Sequence, residues 1–410
     1  MPRLPSQRRP RCALSFGLCL LALWLSNSPT YAQVNSTMAA ASLGPLACED
    51  GLQQSGATYR ICMPAAWNGK LLVYAHGYVA PNRALGIPED QLGVPGSPTV
   101  DELANGLGFA FLTSGFRTNG LAIQEGIADL VDGVALFTTL KGEPTQVLLA
   151  GVSEGGAITA LAIERYPEVF DGGLAMCGPY GSFQEQVNYF GDFRVVFDAY
   201  FPALLPPSAV DVPTTLLESW ETGYYSTTVL PAISNTLAIT TVNEVLAVTN
   251  APFDAADPTT KIATVEELLW YNVFATNDAR IKLGGQPFAN SNRSYIGSLD
   301  DSTLNQSVAR YDADPAAQTA LAAYETTGQL TRPLITLHTA GDPVVPAWQA
   351  TGYAEKIARA GRSAFHESVV VDAYGHCQFT SATILAAFGR LTALVDNPPP
   401  FSLYLPVVLR

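Results

Sequence analysis

The sequence predicts an α/β domain: a mostly parallel central sheet flanked by helices and interrupted by a large, mainly helical cap insertion. Three observations carry this. Short continuous apolar runs, such as Leu71 to Ala75 and Val147 to Val152, fit strands buried on both faces. Between such runs lie segments whose apolar residues recur at helical spacing, the pattern of right-handed βαβ crossovers. The alternation stops between residues 181 and 330 and then resumes, which marks an insertion.

Taken in order, Tyr59 to Met63 reads as a first strand and Leu71 to Ala75 as the next, followed at once by His76-Gly77. A Gly/Pro-rich loop runs from Pro81 to about Pro98. Phe109 to Leu112 is a short strand, ended by the turn signal Thr113-Ser114-Gly115-Phe116. Ile123, Ile127, Leu130, Val131, Val134 and Phe137 mark an amphipathic helix. Val147 to Val152 is a buried strand, Ala157 to Arg165 a helix, and Gly173 to Met176 a strand. Within the insertion, Val265 to Tyr271 and Ala316 to Tyr324 read as helix. Leu334 to Leu337 and Ser368 to Val371 are strands with a helix from about Ala347 to Ala360 between them. A last helix covers roughly Ser381 to Val395.

Apolar residues make up 48% of the 410-residue chain and charged residues 14%, a composition that buries a large core and excludes disorder. Arg3, Arg8, Arg9 and Arg11 precede an uncharged run from Cys12 to Leu25, and Thr30-Tyr31-Ala32 offers small residues where a signal peptidase reads. The run is shorter than the ~20 residues a membrane span needs. The expectation is a cleaved export signal, with an uncleaved N-terminal anchor as the alternative. Cleavage after Ala32 removes four basic residues and no acid, leaving 18 basic against 36 acidic side chains. That balance argues against nucleic acid or anionic membrane as a partner. The expected divisions are a signal peptide (1–32), a first core segment (33–180), the cap (181–330), a second core segment (331–396) and a Pro-rich linker with an apolar tail (397–410). An exported location, with no stable membrane span after cleavage, follows.

Cys48, Cys62, Cys177 and Cys377 remain after cleavage, enough for two disulfides in an exported chain. Cys48–Cys62 is favoured, since the two flank a short N-terminal strand. That leaves Cys177–Cys377, with free buried thiols as the alternative. No metal-type spacing such as C-x-x-C occurs, and no metal is expected.

Gly151-Val152-Ser153-Glu154-Gly155 lies between a buried strand and a helix. Alone the G-x-S-x-G pattern is common; in this setting it describes a sharp turn that lifts the Ser153 hydroxyl clear of the sheet. A serine hydroxyl needs a base, and the chain has four histidines. His76 follows a strand ahead of the serine and is read as ordering its loop. His338 falls inside a strand, and His366 begins one. His376 sits in a loop after the last strand and before the last helix, where active sites form in parallel sheets; it is the expected base. Asp342, also in a loop after a strand, is the expected orienting carboxylate, with Asp372 as competitor. Oxyanion donors are expected from the backbone N–H of Glu154 and of Tyr78.

These four pieces, His76-Gly77, the Ser153 turn, Gly341-Asp342-Pro343-Val344-Val345-Pro346 and Gly375-His376, together resemble the α/β-hydrolase superfamily over residues 58–180 and 331–396. The resemblance implies a Ser153, Asp342, His376 triad in that chain order and no cofactor. A more distant likeness is to tannase- and feruloyl-esterase-like enzymes, which carry cysteines beside both serine and histidine. Cys377 adjoins His376, but Val152 stands where the other cysteine is expected. The implied activity is hydrolysis of a small or polymeric carboxylic ester. The alternatives are a serine peptidase acting on small peptides, anchored by Glu185, Asp192, Arg194 or Asp198, and a non-catalytic binding protein. Tyr189, Phe190, Phe193, Phe197, Tyr200 and Phe201 either line an apolar pocket or hold the cap together.

Overall fold

The computed structural model describes residues 47–93 and 98–398; the expected signal (1–32) and the tail from 399 onward lie outside the described residues. Eight strands form one sheet: β1 (Ala47–Leu52), β2 (Thr58–Met63), β3 (Lys70–Ala75), β4 (Ala110–Ser114), β5 (Gln146–Val152), β6 (Gly172–Met176), β7 (Leu334–Gly341) and β8 (His366–Tyr374). Their order is β1-β2-β4-β3-β5-β6-β7-β8. β2 runs antiparallel to both β1 and β4, and every pairing from β4 through β8 is parallel. Helices α1 (Val100–Gly106), α2 (Ile123–Lys141) and α3 (Glu154–Arg165) precede the insertion. Helices α4 (Phe183–Tyr200), α5 (Thr214–Ser219), α6 (Leu230–Ile233), α7 (Ile239–Thr249), α8 (Thr260–Lys282), α9 (Asp301–Ser307) and α10 (Pro315–Leu321) compose it. Helices α11 (Trp348–Arg359) and α12 (Ser381–Asp396) follow. This is the α/β-hydrolase fold.

The two-residue strand period sorts the core into two layers. Leu71, Val73, Ala75, Val147 and Leu149 face α2, α3 and α11. Leu72, Tyr74, Leu148 and Ala150 face α1 and α12. The cap has its own core, in which Phe193, Phe197, Val245, Leu268 and Val273 from α4, α7 and α8 meet. Most of the aromatic cluster of α4 therefore holds the cap together; Tyr189, Phe193 and Phe197 are buried in it.

The cap is fastened where it leaves and rejoins the sheet. The Gln349 side chain in α11 accepts the N–H groups of Gly181 and Ser182 through Oε1 and donates to the Ser182 carbonyl through Nε2. Glu325, at the far end of the insertion, accepts the Gln184 N–H and pairs with Lys356 of α11 at 2.8 Å.

Two elements depart from the sequence expectation. β1 precedes the first strand expected, and Cys48 and Cys62 do not flank one strand: they lie directly opposite on the antiparallel β1–β2 pair, where they form a disulfide. Helix α1 falls between the expected loop, which ends at about Pro98, and the strand from Phe109, where no element is expected, although its capping box, Thr99 with Glu102, is visible in the sequence.

Candidate active site

β5 ends at a turn whose central residue, Ser153, has φ 57° and ψ −121°, a left-handed conformation rare outside glycine. The flanking glycines make it possible. A Cβ on Gly151 would lie 2.1 Å from the Gly155 carbonyl oxygen, and one on Gly155 would lie 2.0 Å from that of Ala75. α3 starts one residue later, so the first N–H groups of its N-terminus have no intrahelical partner.

The loops after β7 and β8 bring the other two groups to the same rim. Asp342 is fully buried, and its Oδ1 accepts the N–H groups of Val344 and Val345 at 2.9 Å each. His376 Nδ1 donates to both oxygens of Asp342, at 3.0 and 2.8 Å. That fixes the tautomer and leaves Nε2 to accept the Ser153 hydroxyl at 2.8 Å. Burial opposes the imidazolium, but the charge and hydrogen bond of Asp342, with help from Glu267, outweigh it and hold the His376 pKa above the ordinary histidine value. An imidazole so oriented can take the serine proton as that oxygen attacks. Asp372 is exposed on β8 and takes no part in this chain of bonds.

The disulfide Cys177–Cys377 ties the end of β6 to the loop holding His376, with Cα atoms 5.5 Å apart. Both cysteines have positive φ, 42° and 56°. The cap also reaches this rim: Gln186 Nε2 donates to the Val344 carbonyl and the Tyr189 hydroxyl to that of Pro343, both at 2.8 Å.

The other histidines are structural. His76 is buried, stacks on Phe116 at 4.0 Å and donates from Nδ1 to the Gly77 carbonyl; burial pushes its pKa down to about 4. His338 accepts from the Tyr180 hydroxyl and donates to the Val345 carbonyl. His366 sits 2.9 Å from the Thr336 hydroxyl.

His76-Gly77-Tyr78 passes directly beside the turn, since a Cβ on Gly77 would lie 3.1 Å from that of Ser153. The segment is clamped by a residue that no motif or periodicity singles out. Gln91 accepts the Gly77 N–H through Oε1 at 2.7 Å and donates from Nε2 to the Tyr78 carbonyl at 3.1 Å. Neither Tyr78 N–H nor Glu154 N–H has a hydrogen-bond partner among the described residues. Both therefore stand available near Ser153.

α8 adds two more unselected residues, Glu267 and Tyr271, one turn apart. Tyr271 borders the same cavities as Ser153 and is stacked on Phe190 at 5.1 Å. Glu267 is mostly buried, with one carboxylate oxygen unpartnered; burial raises its pKa to about 7, against the pull of His376. In a sequence, both look like ordinary positions on a long amphipathic helix. Glu154 is buried as well. Burial lifts its pKa to about 8, although Oε1 accepts the Ala122 N–H and Lys282 is near.

Two apolar cavities open onto Ser153. One lies under the cap, with Phe183, Val187, Phe190, Ala275, Phe288 and Val345 among its walls and about 940 Å³ of unfilled space, open mouth included. The other runs over the sheet face between α1 and α12, with Leu103, Ala104, Met176, Phe379, Ile384 and Phe388 among its walls and about 1470 Å³ counted the same way. The proposed peptide anchors are not free. Arg194 is fully buried, bonded to Asp198, Asn272 and the Pro206 carbonyl, while Glu185 and Asp192 both pair with Arg293. Arg194 in particular stitches α4 to α8 inside the cap.

No family model matches the sequence, and no curated protein matches it. Among solved structures, the chain is similar to an esterase of Pyrococcus furiosus (12% identity, TM-score 0.45, covering 87% of this chain and 91% of that one). It is also similar to feruloyl esterase B of Aspergillus oryzae (15%, 0.44, 80% and 72%) and to an acylaminoacyl peptidase of Pyrococcus horikoshii (11%, 0.41, 87% and 42%). The chain thus spans less than half the length of the peptidase. The α/β-hydrolase fold of this chain rests on its own strand order and on the turn at Ser153.

Proposed function

We propose that the protein is an exported serine hydrolase that cleaves carboxylic esters, with Ser153 as nucleophile, His376 as base and Asp342 as the carboxylate that orients it. The observation that carries this reading is the continuous chain of hydrogen bonds from Ser153 Oγ through His376 to Asp342. Ser153 Oγ attacks the ester carbonyl carbon while His376 Nε2 takes its proton. The tetrahedral oxyanion forms against the N–H groups of Tyr78 and Glu154. The C–O bond to the alcohol then breaks, and His376 returns the proton to the departing oxygen. Water, deprotonated by the same nitrogen, attacks the acyl-serine, and the acid leaves with Ser153 regenerated.

Esters are favoured over peptides because the cavity walls are apolar and the charged groups of α4 are already paired within the cap. Two disulfides agree with an oxidising destination. Among the described residues no helix is long and apolar enough to cross a membrane. The test pairs nitrophenyl esters with aminoacyl anilides, alongside fluorophosphonate labelling of wild type and Ser153→Ala. Expected are ester turnover, labelling at Ser153, and a ~10⁶-fold loss in the variant with its circular dichroism unchanged. Anilide cleavage outpacing every ester would reverse the substrate assignment, and unimpaired turnover in the variant would end the serine mechanism.

A further inference from the structure

Concave apolar pockets are where apolar ligand groups bind, and two of them meet at one serine. Resting on the hydrolase reading, we propose that the natural substrate is an ester with a long apolar chain on each side of the scissile bond. The acyl chain lies in the cavity under the cap, and the alcohol chain lies in the cavity over the sheet face.

The assignment of the arms follows from proton transfer. The departing oxygen must receive its proton from His376 Nε2, so the alcohol lies on the side that His376 faces. His376 and Cys377 border the sheet-face cavity and not the cap-side one. Glu154, whose N–H is the proposed oxyanion donor, borders the cap-side cavity and not the other. Ser153, Tyr78 and Tyr271 border both, which puts the reacting carbon at their junction. Leu107 and Leu385 on the walls of the alcohol arm are 39% and 36% exposed, so that arm meets solvent along an apolar edge. A chain longer than the cavity can therefore run outward, which suits a long-chain alcohol or a polyester strand.

The test measures kcat/KM in two series on the wild-type chain. One holds nitrophenol fixed and lengthens the acyl group from acetate to decanoate. The other holds butyrate fixed and lengthens the alcohol from methyl to decyl. Each methylene is expected to raise kcat/KM about four-fold while its cavity fills, the factor equivalent to ~0.8 kcal/mol. Ala275→Phe, in the cap-side wall, is expected to cut the decanoate-to-acetate ratio at least ten-fold and leave the slope of the alcohol series. Leu103→Trp, in the other wall, is expected to do the reverse. A wild-type alcohol series that is flat or falling, or a variant that flattens both series equally, overturns the two-chain substrate. Should a variant lose its fold by circular dichroism, the wild-type series decide alone. Ser153 labelled normally by fluorophosphonate with a flat alcohol series sinks only this inference, whereas no labelling and no ester turnover sinks the hydrolase reading itself.

Discussion

Gln91 gives the sharpest test of how the oxyanion segment is held. Replacing it with Met keeps the length and removes both side-chain bonds, to the Gly77 N–H at 2.7 Å and the Tyr78 carbonyl at 3.1 Å. Each such bond is worth about 0.5–1.5 kcal/mol net, so the pair contributes about 1–3 kcal/mol. For a 410-residue chain, at ~2.1 cal/mol/K of unfolding entropy per residue, that lowers Tm by only about 1–4 °C. The effect on rate should be disproportionate. Losing one oxyanion donor outright costs ~10²–10³ in kcat. A displaced rather than deleted Tyr78 N–H should cost about 10–100-fold, because charge stabilisation decays with misplacement. Gln91 borders the sheet-face cavity, and Met keeps the volume of that wall, so KM should stay within about three-fold while kcat falls, as for an interaction made only in the transition state. Steady-state kinetics on a nitrophenyl ester, with thermal melts of the same preparation, separate the two quantities. A kcat within two-fold of wild type alongside the expected drop in Tm would refute the argument: Gln91 would then be a loop brace, and the Tyr78 N–H would not face the developing charge.

Three further outcomes are expected. Glu267→Gln removes one of the negative charges that favour the imidazolium, so the His376 pKa should drop and the acid limb of kcat/KM should move to lower pH; a limb that stays put or moves upward sinks this coupling. Glu154 binds its proton more tightly folded than unfolded, so its neutral form stabilises the fold fully below pH 4.5 and that contribution is lost as pH rises through about 8. Glu154→Gln should flatten the decline in denaturant midpoint across that window, and an unchanged slope would count against the burial argument. Reduction should matter unequally: the Cys48–Cys62 link closes a short loop, while Cys177–Cys377 spans 200 residues, worth ~5 kcal/mol in the chain-entropy picture, and anchors the His376 loop. Graded reductant with mass mapping should therefore show activity lost in step with the second bond, and activity surviving its opening would detach the disulfide from the site.

The parts of this molecule legible in the sequence are those where local pattern and function coincide. The β5–Ser153–α3 turn announces itself because only glycine tolerates the close approaches at Gly151 and Gly155. Asp342 and His376 could be picked out because each follows a strand marked by an apolar run, Leu334 to Leu337 and Ser368 to Val371, and strand ends in a parallel sheet share one rim. Gln91, Glu267 and Tyr271 were illegible for a different reason. Their importance comes from which way a loop and a cap helix face after packing, and no periodicity records that. β1 was missed because an edge strand reading Ala-Cys-Glu-Asp-Gly-Leu, exposed along most of its length, lacks the apolar alternation that marks a half-buried one. Arg194 misled because a charged residue on an amphipathic helix usually points to water, whereas here Asn272 and Asp198 compensate its burial.

The moorings of the cap at Gln349 and Glu325 bear on how molecules come and go. Swinging the insertion away as a rigid flap would rupture the three bonds of Gln349 to Gly181 and Ser182 and the contact of Glu325 with Lys356 all at once. At about 0.5–1.5 kcal/mol for each, that is several kcal/mol before any apolar surface is wetted. Traffic then has to pass through the gaps between fixed walls, by rotation of single side chains. Such a doorway selects by cross-section: slender, flexible molecules thread it readily, and bulky rigid ones are turned back before they ever meet the serine.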